Sequence, residues 1–239
     1  MLYLVGLGLS EKDLSLKAFE LLDKINNIYV DTYTNYFDFD LIWLEKALNK
    51  KVIPLSREGI EKNPTFLEIA KSGDVALLIS GDPLVATTHT DILLRAIKKG
   101  VKTKVFHASS IYSAIAETGL HIYRFGKTAS IPYPEENFFP RSFYDAIVEN
   151  KERNLHTMLL LDVKREKNLF MNPKEAMDIL KKIDENKNIK KIIVISRISH
   201  DDQRIIYGDI DKLAGFNNEF YGLPPHTLVV PAELHFAEE

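Results

Sequence analysis

The sequence contains no cysteine among its 239 residues. That absence excludes disulfide scaffolds, thiolate metal sites and cysteine nucleophiles together. It is typical of proteins that fold in a reducing compartment, and the remaining side chains show no recognisable spacing of metal ligands. We therefore expect a cytoplasmic protein that works without a metal ion.

Long apolar runs and a large excess of one charge are absent as well. No run approaches the roughly 18 apolar residues that cross a bilayer, and the N-terminus has neither a basic region nor a signal cleavage site. The 31 basic and 34 acidic side chains give a formal net charge of -3, which provides no overall attraction to nucleic acid or to an anionic membrane. We expect neither as a partner.

Short apolar strands alternate with single helices over the first half of the chain. The patterns predict strands at 2–6, 27–31, 51–54, 74–80 and 102–107, and helices at 14–25, 41–48, 64–71 and 88–99. After residue 107 strands outnumber helices, and strands that follow one another without a helix indicate antiparallel pairs. We predict an α/β protein with a parallel sheet covered by helices on both faces in domain 1–108, and a mixed sheet with helices in domain 109–239.

One loop carries polar groups where a strand leaves the core. The stretch LLISGDPLVATTHTDILLRA, residues 77–96, reads as a buried strand that ends at Gly81-Asp82-Pro83 and continues, through two threonines and a histidine, into a helix. In open α/β sheets, ligands bind outside the carboxyl ends of the strands. A Gly-Asp-Pro turn without a function is equally compatible with these residues.

The first strand ends in Gly6-Leu7-Gly8, which is the start of a dinucleotide-binding pattern. The third glycine of that pattern would fall at Glu11, whose side chain would hinder close packing and whose charge would repel a pyrophosphate. We therefore reject a nicotinamide site. A tight exit from the strand explains both glycines without any ligand.

Three motifs in order resemble those of the tetrapyrrole methylase superfamily. Gly6-Leu7-Gly8-Leu9 with residues 14–18 (LSLKA) resembles its opening strand, loop and helix. Gly81-Asp82-Pro83-Leu84 resembles its second motif, and residues 107–114 (HASSIYSA) resemble its third. Within the superfamily, the stretches LSRE, GDPLVATTH, TGLHIYRFGK and PPHTLVVPAELHF are similar to diphthine synthases over nearly the whole chain. The resemblance implies a two-domain tetrapyrrole methylase-like fold.

The resemblance also implies a reaction. Members of this family use S-adenosyl-L-methionine to methylate the amino group of a 3-amino-3-carboxypropyl-histidine on translation elongation factor 2, which yields diphthine in diphthamide biosynthesis. The by-product is S-adenosyl-L-homocysteine, and the expected assembly is a homodimer. A methyl transfer of this kind needs no covalent residue, in agreement with a chain that lacks cysteine.

Carried over position by position, the resemblance predicts a cofactor site in a cleft between the two domains. The predicted cofactor-binding residues are Leu9, Asp82, Val85, Ser110, Ile111, Leu161, Ile198 and His226. No catalytic residue is assigned. The other histidines are interpreted as half-buried imidazoles satisfied by the backbone, namely His89, His107, His121, His156, His200 and His235.

Two other functions remain open at this point. A methylase of cobalamin or sirohaem precursors would share the cofactor site, although GDPLVATTH and TGLHIYRFGK argue against it. A non-catalytic module that only binds the cofactor or the elongation factor would also explain the motifs.

Overall fold

A computed structural model of the chain describes residues 1–10, 12–34, 41–135 and 139–239. The chain forms two compact units, Met1–Ser113 and Ala114–Glu239. Glu11, on which the rejection of a dinucleotide site depends, lies outside the described residues. No helix within the described ranges is long and apolar enough to cross a membrane.

The first unit alternates strands and helices as predicted. Its strands are β1 (Leu2–Gly6), β2 (Asn27–Asp31), β3 (Ile53–Leu55), β4 (Val75–Ile79) and β5 (Thr103–Phe106). Its helices are α1 (Leu16–Leu22), α2 (Leu41–Leu48), α3 (Thr65–Ser72) and α4 (His89–Lys98), followed by α5 (Ile111–Ala114). A π-helical turn at Glu58–Lys62 was not predicted.

The five strands form one parallel sheet in the order β3-β2-β4-β1-β5. Successive side chains of a strand point to opposite faces, and β4 is buried along its whole length. Val75, Leu77 and Ile79 pack with α3 and α4, while Ala76 and Leu78 pack with α1 and α2. Helices therefore cover both faces, and the carboxyl ends of β4, β1 and β5 lie side by side at one edge.

The second unit is built on a mixed sheet. Its strands are β6 (Ala129–Ile131), β7 (Thr157–Leu161), β8 (Val163–Lys164), β9 (Leu169–Phe170), β10 (Lys191–Ser196), β11 (Arg204–Asp209) and β12 (His226–Val230). Its helices are α6 (Ser142–Glu152), α7 (Pro173–Ile183) and α8 (Ile210–Leu213). The sheet order is β11-β10-β12-β7-β6, with only β6 and β7 parallel, and β8 and β9 form a separate antiparallel pair.

Helices α6 and α7 contribute the core of this second unit. Phe143 and Ile147 of α6 and Met177 and Leu180 of α7 pack in one cluster with the buried residues of β7, β10 and β12. Asn172 starts α7 with a capping box, because its side chain accepts from the Glu175 backbone N–H while Glu175 accepts from the Asn172 N–H.

The predicted fold class, a parallel sheet followed by a mixed sheet, is confirmed. The predicted domain boundary after residue 108 stays a prediction.

Candidate functional site

Two glycine loops are joined directly at the carboxyl edge of the parallel sheet. The Gly81 N–H donates to the Gly8 carbonyl at 2.8 Å, and the Gly8 N–H donates to the Gly81 carbonyl at 3.3 Å. Both glycines have positive φ, +81° at Gly8 and +73° at Gly81, a conformation that costs residues with a Cβ about 1–2 kcal/mol. The first and second motifs are thus held together by their backbones.

The third motif is tied to the first through Asp13. One carboxylate oxygen of Asp13 accepts from the Leu9 N–H at 3.0 Å and from the Ser109 hydroxyl at 2.9 Å. The other oxygen accepts from the Ser10 hydroxyl at 2.9 Å. Burial raises the pKa of Asp13, but these hydrogen bonds outweigh it and hold the pKa below its ordinary value. Asp13 is therefore a carboxylate that fixes the loop after β1 against residue 109.

Asp82 joins the second motif to the third. One oxygen of its buried carboxylate accepts from the Leu84 N–H at 2.9 Å, which closes the Gly-Asp-Pro turn. The other lies 2.8 Å from His107 Nδ1 and accepts from the Ala108 N–H at 3.2 Å. The acid that closes the turn therefore also holds it against a second loop of the same edge, and that the loop is a binding site stays a prediction.

The structure gathers five of the predicted site residues in the first unit. They follow the carboxyl ends of β1, β4 and β5, and they are Leu9, Asp82, Val85, Ser110 and Ile111. Leu9, Val85 and Ile111 are half-buried, whereas Asp82 and Ser110 are buried. The five residues combine three apolar side chains with two polar ones, which is the usual composition of a small-molecule site.

The other three predicted residues lie together in the second unit. Leu161 ends β7, Ile198 follows β10, and His226 begins β12. Because β12 pairs antiparallel with both β7 and β10, these three positions share one edge of the mixed sheet. The Ile198 side chain is buried, while Leu161 and His226 are half-buried.

His226 is held in its neutral form. Its Nδ1 lies 2.8 Å from the Ser196 hydroxyl oxygen, on the neighbouring strand β10. Burial lowers the pKa of His226 to about 4, because the charged imidazolium loses its hydration. At neutral pH this residue therefore offers an uncharged ring at the edge of the sheet.

We expect the His226 imidazole to show no protonation between pH 5 and 8 in a histidine NMR titration of the folded protein. Its folded pKa lies below the ordinary value of about 6.5, so its contribution to stability is present above pH 6.5 and is lost as the pH falls toward 4. A His226→Asn variant removes that part of the pH dependence. A titration midpoint near 6.5 for His226 would contradict the expectation.

The prediction that the other histidines are half-buried and satisfied by the backbone was wrong. His156 is fully buried and bonds to the Glu238 side chain, while His235 is exposed. His121 and His200 contact the side chains of Tyr123 and Arg197.

His89 is 1% exposed and bonds to side chains, namely Asp31 and Thr87, whereas backbone partners were expected. The His107 ring is 68% exposed and contacts Asp82. Asp13 was not singled out at all, although aspartate side chains commonly accept from backbone N–H groups close by in sequence.

Comparison with known proteins agrees with these motifs. Residues 1–214 match the model of the Tetrapyrrole (Corrin/Porphyrin) Methylases. A diphthine synthase of Methanocaldococcus jannaschii is 40% identical over the whole chain and 96% of its own length. A diphthine synthase of Methanococcus maripaludis strain C6 is 39% identical with the same coverage.

A solved structure supports the same assignment. A crystal structure of diphthine synthase is 34% identical and superposes with a TM-score of 0.90, covering 99% of this chain and 92% of its own. A family match over residues 1–214 and a relative that is 40% identical over the whole of this chain agree with the fold. The chain is a methyltransferase that belongs to the tetrapyrrole (corrin/porphyrin) methylase family, in its diphthine synthase branch.

Proposed function

We propose that this chain transfers methyl groups from S-adenosyl-L-methionine to the amino group of a 3-amino-3-carboxypropyl-histidine on translation elongation factor 2, giving diphthine and S-adenosyl-L-homocysteine. The observation that carries the proposal is the joining of the three family motifs at one sheet edge by Gly8–Gly81, Asp13 and Asp82. We also propose that the enzyme works in the cytoplasm as a homodimer.

The residues at this edge fit a methyl donor of that type. A Cβ added at Gly81 would meet nothing within 4 Å, so the loop leaves open space beside its backbone. Half-buried apolar side chains at Leu9, Val85 and Ile111 suit the flat adenine ring, and Ser110 adds a hydroxyl. We propose that these residues and Asp82 hold the cofactor. Leu161, Ile198 and His226 of the second unit are proposed as cofactor contacts on the resemblance alone.

S-adenosyl-L-methionine supplies an activated methyl group on a sulfonium, so the chain needs no nucleophile of its own. The protein's task is to hold the acceptor nitrogen in line with the methyl carbon and the sulfur, and to receive a proton from the amine. Asp13 and Asp82 contribute by fixing the loops, since their carboxylates are bonded to protein donors. Positioning of this kind accounts for a large share of the rate acceleration of displacement reactions.

A single transfer experiment tests the proposal. The chain is incubated with radiolabelled S-adenosyl-L-methionine and elongation factor 2 that carries the carboxypropyl intermediate, with unmodified elongation factor 2 as the control. We expect label only in the modified factor. Label in a porphyrinoid offered in parallel would favour the tetrapyrrole methylase alternative, and tight cofactor binding without transfer would favour a non-catalytic module.

We expect Asp82→Ala to weaken S-adenosyl-L-methionine binding about tenfold while the chain stays folded, because the Leu84 and Ala108 N–H groups lose their acceptor, a loss of about 1–3 kcal/mol. Isothermal titration calorimetry measures the affinity, and far-UV circular dichroism reports the fold. The matched control is Asp91→Ala, which removes an exposed acid of α4 that pairs with Arg95. Equal affinities in both variants would mean that Asp82 does not shape the site.

A further inference from the structure

A buried acid and a buried histidine face each other at the carboxyl ends of neighbouring strands. Asp31 ends β2, His89 begins α4 after β4, and β2 pairs with β4. His89 Nε2 lies 2.8 Å from Asp31 Oδ2, and the two side chains are 1% and 2% exposed. Such a pair is costly to bury and is retained only where its hydrogen bonds are well satisfied.

The proton positions in this pair follow from its contacts. Burial raises the pKa of Asp31, but the hydrogen bonds from His89 and Thr34 outweigh it and hold the pKa below its ordinary value. A carboxylate only accepts, so His89 Nε2 carries the proton and donates it to Asp31. In the neutral imidazole the other nitrogen, Nδ1, is then an acceptor.

Thr87 completes the chain of hydrogen bonds. Its hydroxyl contacts His89 Nδ1 and donates its only proton there when the imidazole is neutral. The oxygen of Thr87 keeps both of its lone pairs to accept from a donor outside the chain. Asp31 and His89 are sealed from solvent, whereas Thr87 is half-buried and lies in the loop that carries Asp82 and Val85.

An amine that accepts a methyl group also carries N–H groups. It therefore supplies the hydrogen-bond donor that the Thr87 oxygen can still accept from. Aliphatic amines have ordinary pKa values of about 8–10, so the acceptor is protonated at neutral pH and has no lone pair for the attack. The proton must leave before or during methyl transfer. A hydroxyl whose own proton is already directed at a histidine is suited to accept it.

We propose that Thr87, His89 and Asp31 form a proton relay for the acceptor amine, an inference that rests on the proposed function. The N–H bond of the ammonium breaks and its proton passes to Thr87 Oγ1, while the Thr87 hydroxyl proton passes to His89 Nδ1. The carboxylate of Asp31 stabilises the resulting imidazolium. The freed lone pair forms the new N–C bond as the C–S bond breaks and leaves its electrons on sulfur. Thr87 is the catalytic residue, and His89 and Asp31 are positioning residues.

The test uses Thr87, because removal of His89 leaves a buried carboxylate without its partner and destabilises the unit. With modified elongation factor 2 as the acceptor, we expect Thr87→Val to lower kcat about 100-fold, the lower range for loss of general base catalysis. The KM for the acceptor and the Kd for S-adenosyl-L-methionine are expected to stay within about threefold, since valine has the shape of threonine. Thr87→Ser, which keeps the hydroxyl, is expected to retain most of kcat. Thr90→Val, at an exposed position of α4, is the matched control.

Each alternative result has a distinct meaning. An unchanged kcat in Thr87→Val, a Thr87→Ser variant as slow as Thr87→Val, or a loss confined to cofactor affinity overturns the relay while the proposed function stands. A wild-type chain that transfers no methyl group to the modified factor overturns both.

Discussion

Gly8→Ala is expected to abolish measurable methyl-donor binding and to lower the free energy of unfolding by about 2–4 kcal/mol. An added Cβ would lie 2.2 Å from Asp13 Cβ and 2.8 Å from the Ser109 hydroxyl oxygen, both impossibly close. The backbone at φ +81° also disfavours alanine. The hydrogen bond between Asp13 and Ser109 must therefore break. The loop after β1 then separates from the loop after β5 at the carboxyl edge of the sheet.

Two further glycine variants separate the effect of backbone strain from the effect of overlap with Asp13. Gly81→Ala carries the same kind of backbone strain at φ +73° but meets nothing within 4 Å, so we expect it to cost only about 1–2 kcal/mol. Gly73→Ala has a nearest neighbour at 3.9 Å and φ -148°, and we expect a change of at most about 0.5 kcal/mol. Urea denaturation measures the free energy of unfolding, and calorimetric titration measures the affinity for the methyl donor. If Gly8→Ala and Gly81→Ala prove equally costly, overlap with Asp13 is not the cause.

Glu238→Gln is expected to destabilise the folded chain by about 2–4 kcal/mol. The Glu238 carboxylate is fully buried and accepts from the backbone N–H groups of His121 at 2.9 Å and His235 at 2.8 Å. It also bonds to His156 Nε2 at 3.1 Å and forms an ion pair with Arg124. A neutral amide removes the charge that Arg124 requires and cannot accept all of these bonds.

The pH dependence of Glu238 gives the same prediction a second measurement. Burial raises the pKa of Glu238, but its hydrogen bonds from His235, His121 and His156 outweigh it and lower the pKa to about 2. A folded pKa below the ordinary value gives stability that is present above about pH 4.5 and is lost as the pH falls toward 2. Glu238→Gln should flatten acid unfolding in that range, whereas Glu239→Gln, an exposed neighbour, should not. An unaltered acid transition in Glu238→Gln would count against the prediction.

The strands and helices of the first unit could be predicted because their signals are local. The run VALLI of β4 is apolar at every position, as expected for a strand buried on both faces, and glycine or proline follows within a few residues. The π-helical turn at Glu58–Lys62 was missed, since its residues carry no periodic pattern that distinguishes it from a loop. Local pattern therefore accounts for the sheet and fails for the irregular turn.

The hydrogen bonds at the sheet edge could not be predicted in the same way. Asp13 reaches Ser109 across 96 residues, and His89 reaches Asp31 across 58. Such pairs depend on which strand ends become neighbours, and that is decided by the strand order rather than by any short pattern. The eight predicted cofactor-binding residues stay predictions, although each group of them shares a sheet edge.

The position of β1 between β4 and β5 has a consequence for synthesis on the ribosome. Leu2 pairs with Val75 and with Thr103, so the first strand made must wait for residues that emerge much later. At the usual elongation rate of about 5–20 residues per second, that delay is roughly 4–15 s for Val75 and roughly 5–20 s for Thr103. During this interval the apolar strand β1 is exposed without a pairing partner. Exposed apolar segments of this kind are what chaperones bind. The carboxyl edge that joins the three motifs is consequently among the last parts of the first unit to form.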